Sequence, residues 1–205
     1  MTQYLKLSNL TFSDNLVNTI GQLSWQDMTP VFDVSPAFYL AHVFEFCWKN
    51  KVMPWPFFNK GWFGRLLSYK FPQHIEEAIL SELYSQAKKI KEVPIIRLQV
   101  IYGGSHVAVH TDPTRSVSLV YPISNHDVAH TTFYNGPITP GIVNPADCTV
   151  LDSVVIADAP VMFEVDKPHS VDYASGTLTK QNPRISLSIK WQYSSFEQVA
   201  KHFIY

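Results

Sequence analysis

The chain has 205 residues, 46% of them hydrophobic and 16% charged, a composition too apolar for a disordered segment and a length that suits one domain with a sizeable core. Sixteen Lys and Arg stand against seventeen Asp and Glu for a formal net charge of −1, so no basic field recommends a nucleic-acid backbone as partner, and no run reaches the roughly 18 apolar residues of a membrane span. Cys47 and Cys148 are the only cysteines. Without CxxC spacing they argue against a zinc or disulfide scaffold and fit a reducing compartment. The amino terminus has no basic stretch followed by an apolar run, and the expected location is cytoplasmic.

The first third reads as helices and loops. Ser35-Pro36 is an N-cap followed by proline at the first helical position. The residues after it, Ala37 to Lys49, are apolar nearly all round, which predicts a helix buried on more than one side. Met53 to Phe58 contains two prolines and is expected to be a rigid aromatic loop. Phe71-Pro-Gln-His opens a second helix to about Lys91, with Ile75, Ile79, Leu83, Ala87 and Ile90 as its apolar stripe.

From Pro94 the pattern changes. The segments 95–102, 106–110, 117–123, 130–134, 149–156, 161–165 and 184–191 are short, rich in β-branched and aromatic residues, and separated by Gly, Pro, Asn and Asp. Helices first and strands later indicate α+β or a helix-supported β-barrel. The expected organisation is a single domain, with residues 1–93 as mainly helical support and lid and 94–205 as the β core.

His110-Thr-Asp112 carries the chemistry. Residues two apart on a strand point to one face, so the His110 imidazole and the Asp112 carboxylate can converge on one ion. A second imidazole from a distant strand would complete a 2-His-1-carboxylate iron site with open positions for an organic cosubstrate and dioxygen. His169 is the candidate. His106 lies four before His110 on what a regular strand makes the same face, too far along to share an ion; His130 competes with His169 only if its strand turns it inward. Downstream, Arg184 to Trp191 alternates strictly, with Arg184, Ser186, Ser188 and Lys190 on one face. Arg184 with Ser186 on that face makes a clamp for a small dicarboxylate.

These motifs resemble the 2-oxoglutarate and Fe(II)-dependent oxygenases, particularly their prolyl-hydroxylase-like branch. Gln99-Val-Ile-Tyr102-Gly-Gly leading into Val107-Ala-Val-His110-Thr-Asp112 is similar to the family's approach to its His-x-Asp. Thr131-Thr132-Phe-Tyr134 resembles its mid-barrel Thr-x-aromatic strand, Val161 to Val171 the strand and turn that deliver the distal His, and Arg184-x-Ser186 the cosubstrate clamp. The likeness spans residues 94–191. It departs in spacing, with 184 − 169 = 15 positions between distal His and Arg, the excess falling in the turn-rich segment 173–183. It departs also in residue type, since prolyl hydroxylases proper commonly carry Lys where Arg184 stands.

The resemblance implies a double-stranded β-helix, a jelly-roll or cupin-like barrel, supported by the N-terminal helices. It implies Fe(II) held by His110, Asp112 and His169, with 2-oxoglutarate as cosubstrate held by Arg184 and Ser186; Tyr102 and Thr132 are candidates for further hydrogen bonds to it. Ascorbate is a candidate reductant. The implied reaction is hydroxylation of a C–H bond of a peptidyl, amino-acid or small-molecule substrate by dioxygen, with release of succinate and carbon dioxide. In the family's halogenating members a small residue replaces the carboxylate, so Asp112 favours hydroxylation or a related oxidation. Tyr121, Tyr134 and Arg115 are candidates for the mouth of the site, and the aromatics of Trp55 to Phe58 and Trp62-Phe63 for core or lid. The alternatives are a non-catalytic cupin-like barrel that binds metal or ligand, and a structural protein with a vestigial site.

Overall fold

A computed structural model describes residues 4–31, 48, 65–88, 90–104, 106–112, 115–138, 141–157 and 159–203. The expected helix at Ala37 to Lys49 with its Ser35-Pro36 cap, the Met53 to Phe58 loop, Trp62-Phe63 and Cys47 lie outside the described residues. The elements run β1 (Tyr4–Lys6), α1 (Asp14–Gly21), β2 (Pro30–Val31), β3 (Arg65–Tyr69), α2 (Gln73–Gln86), β4 (Ile95–Tyr102), β5 (His106–Thr111), β6 (Val117–Ser124) and β7 (Ala129–Asn135). They continue with β8 (Gly141–Ile142), β9 (Thr149–Val155), β10 (Val161–Glu164), β11 (His169–Tyr173), β12 (Arg184–Trp191) and α3 (Phe196–Ala200).

The strands form two antiparallel sheets. One has seven strands in the order β1-β10-β6-β12-β4-β3-β2, the other five in the order β8-β5-β11-β7-β9. From β4 to β7 successive strands alternate between the sheets, as do β10 to β12, the layered arrangement of a jelly roll. The strands expected from Pro94 onward are present, and β8 and β11 are added to them. The first third differs from the expectation of helices and loops alone. Its β1, β2 and β3 extend the larger sheet on both edges, because runs as short as Tyr4–Lys6 carry too few residues to show a period.

Strand parity decides what faces what. On β12, Ile185, Leu187, Ile189 and Trp191 pack in one apolar core with Ile96, Leu98 and Val100 of β4, Leu16 and Ile20 of α1, and Ile75, Ile79 and Leu83 of α2. Hence the apolar face of the Arg184 strand turns outward against the helices, and its polar face turns toward the second sheet. Helix α2 ends at Gln86, five residues before the expected Lys91, yet Ala87 and Ile90 remain buried. Ile79 and Leu83 are fully buried, each contributing about 1.5–3 kcal/mol of burial. Between the sheets lie two smaller apolar clusters. Val120, Phe133, Ile156, Phe163 and Val165 are in one, Ile101, Ala129, Tyr173 and Leu178 in the other.

Candidate metal centre

His110 on β5 and His169 at the start of β11 are directly paired across two neighbouring strands, with ring centroids 4.3 Å apart. Their proximity follows from an irregularity. His169 pairs with His110 but Val171 pairs with Val107, so three steps on β5 answer two on β11, the signature of a β-bulge. The bulge brings Val107 as well as His110 to the cavity between the sheets. It also overturns the expectation that His106 shares the face of His110: His106 precedes the cavity-lining Val107 and points to the outer face.

Both rings are held by the backbone. Nδ1 of His110 donates to the carbonyl of Ala108 at 2.7 Å, and Nδ1 of His169 to the carbonyl of Lys167 at 2.9 Å. This tautomer leaves each Nε2 with its lone pair for a metal. Burial, and then the neighbouring His110, push the His169 imidazole down to about 4, so His169 is neutral at neutral pH. Asp112 follows β5, its amide donating to the Val165 carbonyl at 2.7 Å. Burial alone would raise its carboxyl, but Arg115 and then His110, His169 and Lys190 hold it well below the usual carboxylate range. Arg115 Nε stands 2.9 Å from Asp112 Oδ2.

Nε2 of His110 and Oδ1 of Asp112 are 4.0 Å apart, and among the described residues no trio of His, Cys, Asp or Glu already closes on a common point. The donor set nevertheless fits a divalent transition metal: two imidazoles with Nδ1 occupied and Nε2 available, and one carboxylate kept ionised.

Arg184 and Ser186 line the same cavity, of about 60 Å³, together with Arg115, Thr131 and Lys190. Arg184 is 3% exposed. Burial lowers its guanidinium to about 10, against the opposing influence of Tyr173, which leaves it charged at neutral pH. A residue absent from the sequence reading, His126, orients the pair. Its Nδ1 accepts from Arg184 Nε at 3.2 Å, its Nε2 donates to the Ile185 carbonyl at 2.9 Å, and Ser186 Oγ lies 3.2 Å from Nε2. Burial and then Arg184 push the His126 imidazole well down, so it serves as a neutral acceptor. Asn125 sets up the turn with φ 53° and donates to the Pro183 carbonyl at 2.7 Å. No spacing rule points to His126; the only local cue is an Asn before it that tolerates the left-handed region.

Other candidates fall elsewhere. Tyr102 has the parity of Ile96, Leu98 and Val100 and packs on the helix-side core, its ring 5.7 Å from that of Trp25. Thr132 lies on the outer face of the smaller sheet, donating to Asp172 Oδ2 at 2.9 Å; its neighbour Thr131 lines the cavity. His130 is exposed on that outer face. Tyr121 stacks edge-on against Phe12 and Tyr134 bonds to Ser170 Oγ at 3.0 Å, so of the three mouth candidates Arg115 alone lines the cavity.

No protein-family model matches the chain, and no curated protein is significantly similar to it. The solved structures to which it is similar include 2-oxoglutarate/Fe(II) oxygenases. A prolyl-4-hydroxylase from Pseudomonas putida is 14% identical, with a TM-score of 0.36 over 88% of this chain and 100% of that one. The non-haem α-ketoglutarate-dependent epimerase SnoN of nogalamycin biosynthesis is 11% identical, with a TM-score of 0.42 over 87% and 83%. The Fe(II)/α-ketoglutarate-dependent dioxygenase TqaL is 10% identical, with a TM-score of 0.41 over 91% and 80%. Likeness at this level carries no function, which rests on the residues gathered around the cavity.

Proposed function

We propose that the chain is a 2-oxoglutarate- and Fe(II)-dependent dioxygenase that hydroxylates a C–H bond of a peptidyl, amino-acid or small-molecule substrate, with release of succinate and carbon dioxide. The observation that supports this reading is one cavity lined by His110, Asp112 and His169 together with the buried Arg184 and Ser186. In this reading the two sheets are a double-stranded β-helix, with residues 94–205 as catalytic core and 1–93 as its support in a single domain.

His110, Asp112 and His169 would hold the Fe(II). When bound there, the metal supplies open positions at which 2-oxoglutarate and dioxygen react. The chain's own residues prepare and confine that chemistry. The Ala108 and Lys167 carbonyls fix the imidazole tautomers, and Arg115 keeps Asp112 ionised, the form in which it would serve as a ligand. Arg184, with Nε turned to His126, offers its terminal nitrogens to the far carboxylate of the cosubstrate, and Ser186 adds a hydroxyl. A guanidinium in a desolvated cavity holds such a group far more strongly than one in water. Val120, Ile156 and Phe163 on the cavity wall exclude water from the reacting groups.

The test is anaerobic calorimetry of 2-oxoglutarate with Mn(II) in place of Fe(II). Binding is expected only when metal is present and is lost in His169→Ala. Metal-independent binding of equal strength, or binding unchanged in His169→Ala, overturns the assignment of the three ligands.

A further inference from the structure

The outer face of the smaller sheet carries its own chemistry-bearing row. Asp172 on β11 pairs directly with His106 on β5 at one side and with His130 on β7 at the other. The sequence neighbours of these residues, Val107, Thr131 and Val171, line the inner cavity, so the three polar side chains share the opposite face. The next rung positions the carboxylate. Ser170 Oγ donates to Asp172 Oδ2 at 2.7 Å and Thr132 Oγ1 to the same oxygen at 2.9 Å. Tyr134 Oη and Ser153 Oγ extend the network behind them, 3.0 Å from Ser170 Oγ and 3.3 Å from Thr132 Oγ1. Both donors fall on one oxygen, which leaves Oδ1 for another partner.

We propose that His106, Asp172 and His130 form a second cation site, on the outer face of the sheet, for a first-row divalent ion of the Zn²⁺ class. Directly opposed residues stand about 5 Å apart, so the two histidine Cα atoms lie about 10 Å from each other with Asp172 midway. An ion above the Asp172 carboxylate is then about 5 Å to the side of each, within the span of an imidazole plus a metal–nitrogen bond of about 2.1 Å. Among the described residues the side chains do not close on a point in this structure; binding an ion requires them to rotate on a backbone that the strand register holds in place. Two imidazoles and a carboxylate held by outer hydroxyls are the donor set that zinc takes. The ion would brace β5, β11 and β7, two of which carry His110 and His169 on the inner face. The site does not depend on the oxygenase reading.

Calorimetric titration of the untagged chain with Zn²⁺ tests it. In His110→Ala/His169→Ala, which removes the inner imidazoles, one equivalent is expected still to bind. Adding His130→Ala or Asp172→Asn weakens that equivalent at least tenfold. Asp172→Asn keeps an acceptor for Ser170 and Thr132, so loss of folding does not mimic loss of a ligand. Single His130→Ala in the otherwise unchanged chain gives the same answer without the double variant, as the loss of one equivalent. If the inner ligands are misassigned, the unchanged chain binds one equivalent and His130→Ala removes it. Zn²⁺ binding unaltered by both His130→Ala and Asp172→Asn, or none in a folded inner-site variant, overturns the proposal.

Discussion

Lowering the pH of the metal-free protein titrates His169 inside its pocket. Its imidazole is pushed from an ordinary 6.5 down to about 4 by burial and by His110. The folded state therefore binds fewer protons than the unfolded chain between those values. Stability from this group is present above pH 6.5 and is lost as pH falls toward 4. The full effect is 2.303RT × (6.5 − 4), about 3 kcal/mol, of which about 2 kcal/mol falls between pH 7 and pH 5. Urea unfolding in the presence of a chelator, at pH 7 and pH 5, measures it in the wild type and in His169→Gln, whose amide does not titrate. The wild type is expected to lose about 2 kcal/mol more than the variant over that interval. Equal losses refute the burial of a neutral His169 beside His110.

Arg184→Leu is expected to weaken 2-oxoglutarate binding by roughly 2–4 kcal/mol by leaving its carboxylate unpaired, with metal affinity nearly unchanged; calorimetry with each ligand separates the two. Thr132→Val removes a hydrogen bond to Asp172 and is expected to cost about 1 kcal/mol in denaturant unfolding without altering cosubstrate affinity. Glu92 accepts from the amides of Gln192 at 2.6 Å and Ser194 at 2.8 Å and from Ser194 Oγ at 2.7 Å. Burial works against these donors, but they hold its carboxyl below the ordinary value. Its contribution is present above the unfolded carboxyl value and lost as pH falls through the folded one, so Glu92→Gln flattens the acid limb of the stability–pH curve.

The sequence was most legible where one period held. On β12 the strict alternation of Arg184 to Trp191 assigned both faces, because burial of Ile185, Leu187, Ile189 and Trp191 against the helices leaves the polar set nowhere else to point. His110, Asp112, His169 and Arg184 line one cavity, but it was the family resemblance, more than any spacing, that joined the distant His169 and Arg184 to the His110-x-Asp112 pair. Parity failed at the β5 bulge, where one extra residue places His106 on the outer face, and at the Thr131-Thr132 pair, where two identical residues give composition nothing to choose between. Tyr102 was drawn to the site by its position in the motif, yet its parity on β4 takes it to Trp25. His126 was invisible because its partners, Arg184, Ile185 and Ser186, are nearly 60 positions away and meet it through a turn.

Succinate formed from 2-oxoglutarate in the presence of Fe(II), ascorbate and dioxygen tests the oxygenase reading most directly, with lysate as a source of substrate. Turnover above a metal-free control that disappears in Asp112→Ala is the expected result. No turnover by the folded wild-type protein would make it a non-catalytic metal or ligand binder, and equal turnover in Asp112→Ala would put the iron elsewhere.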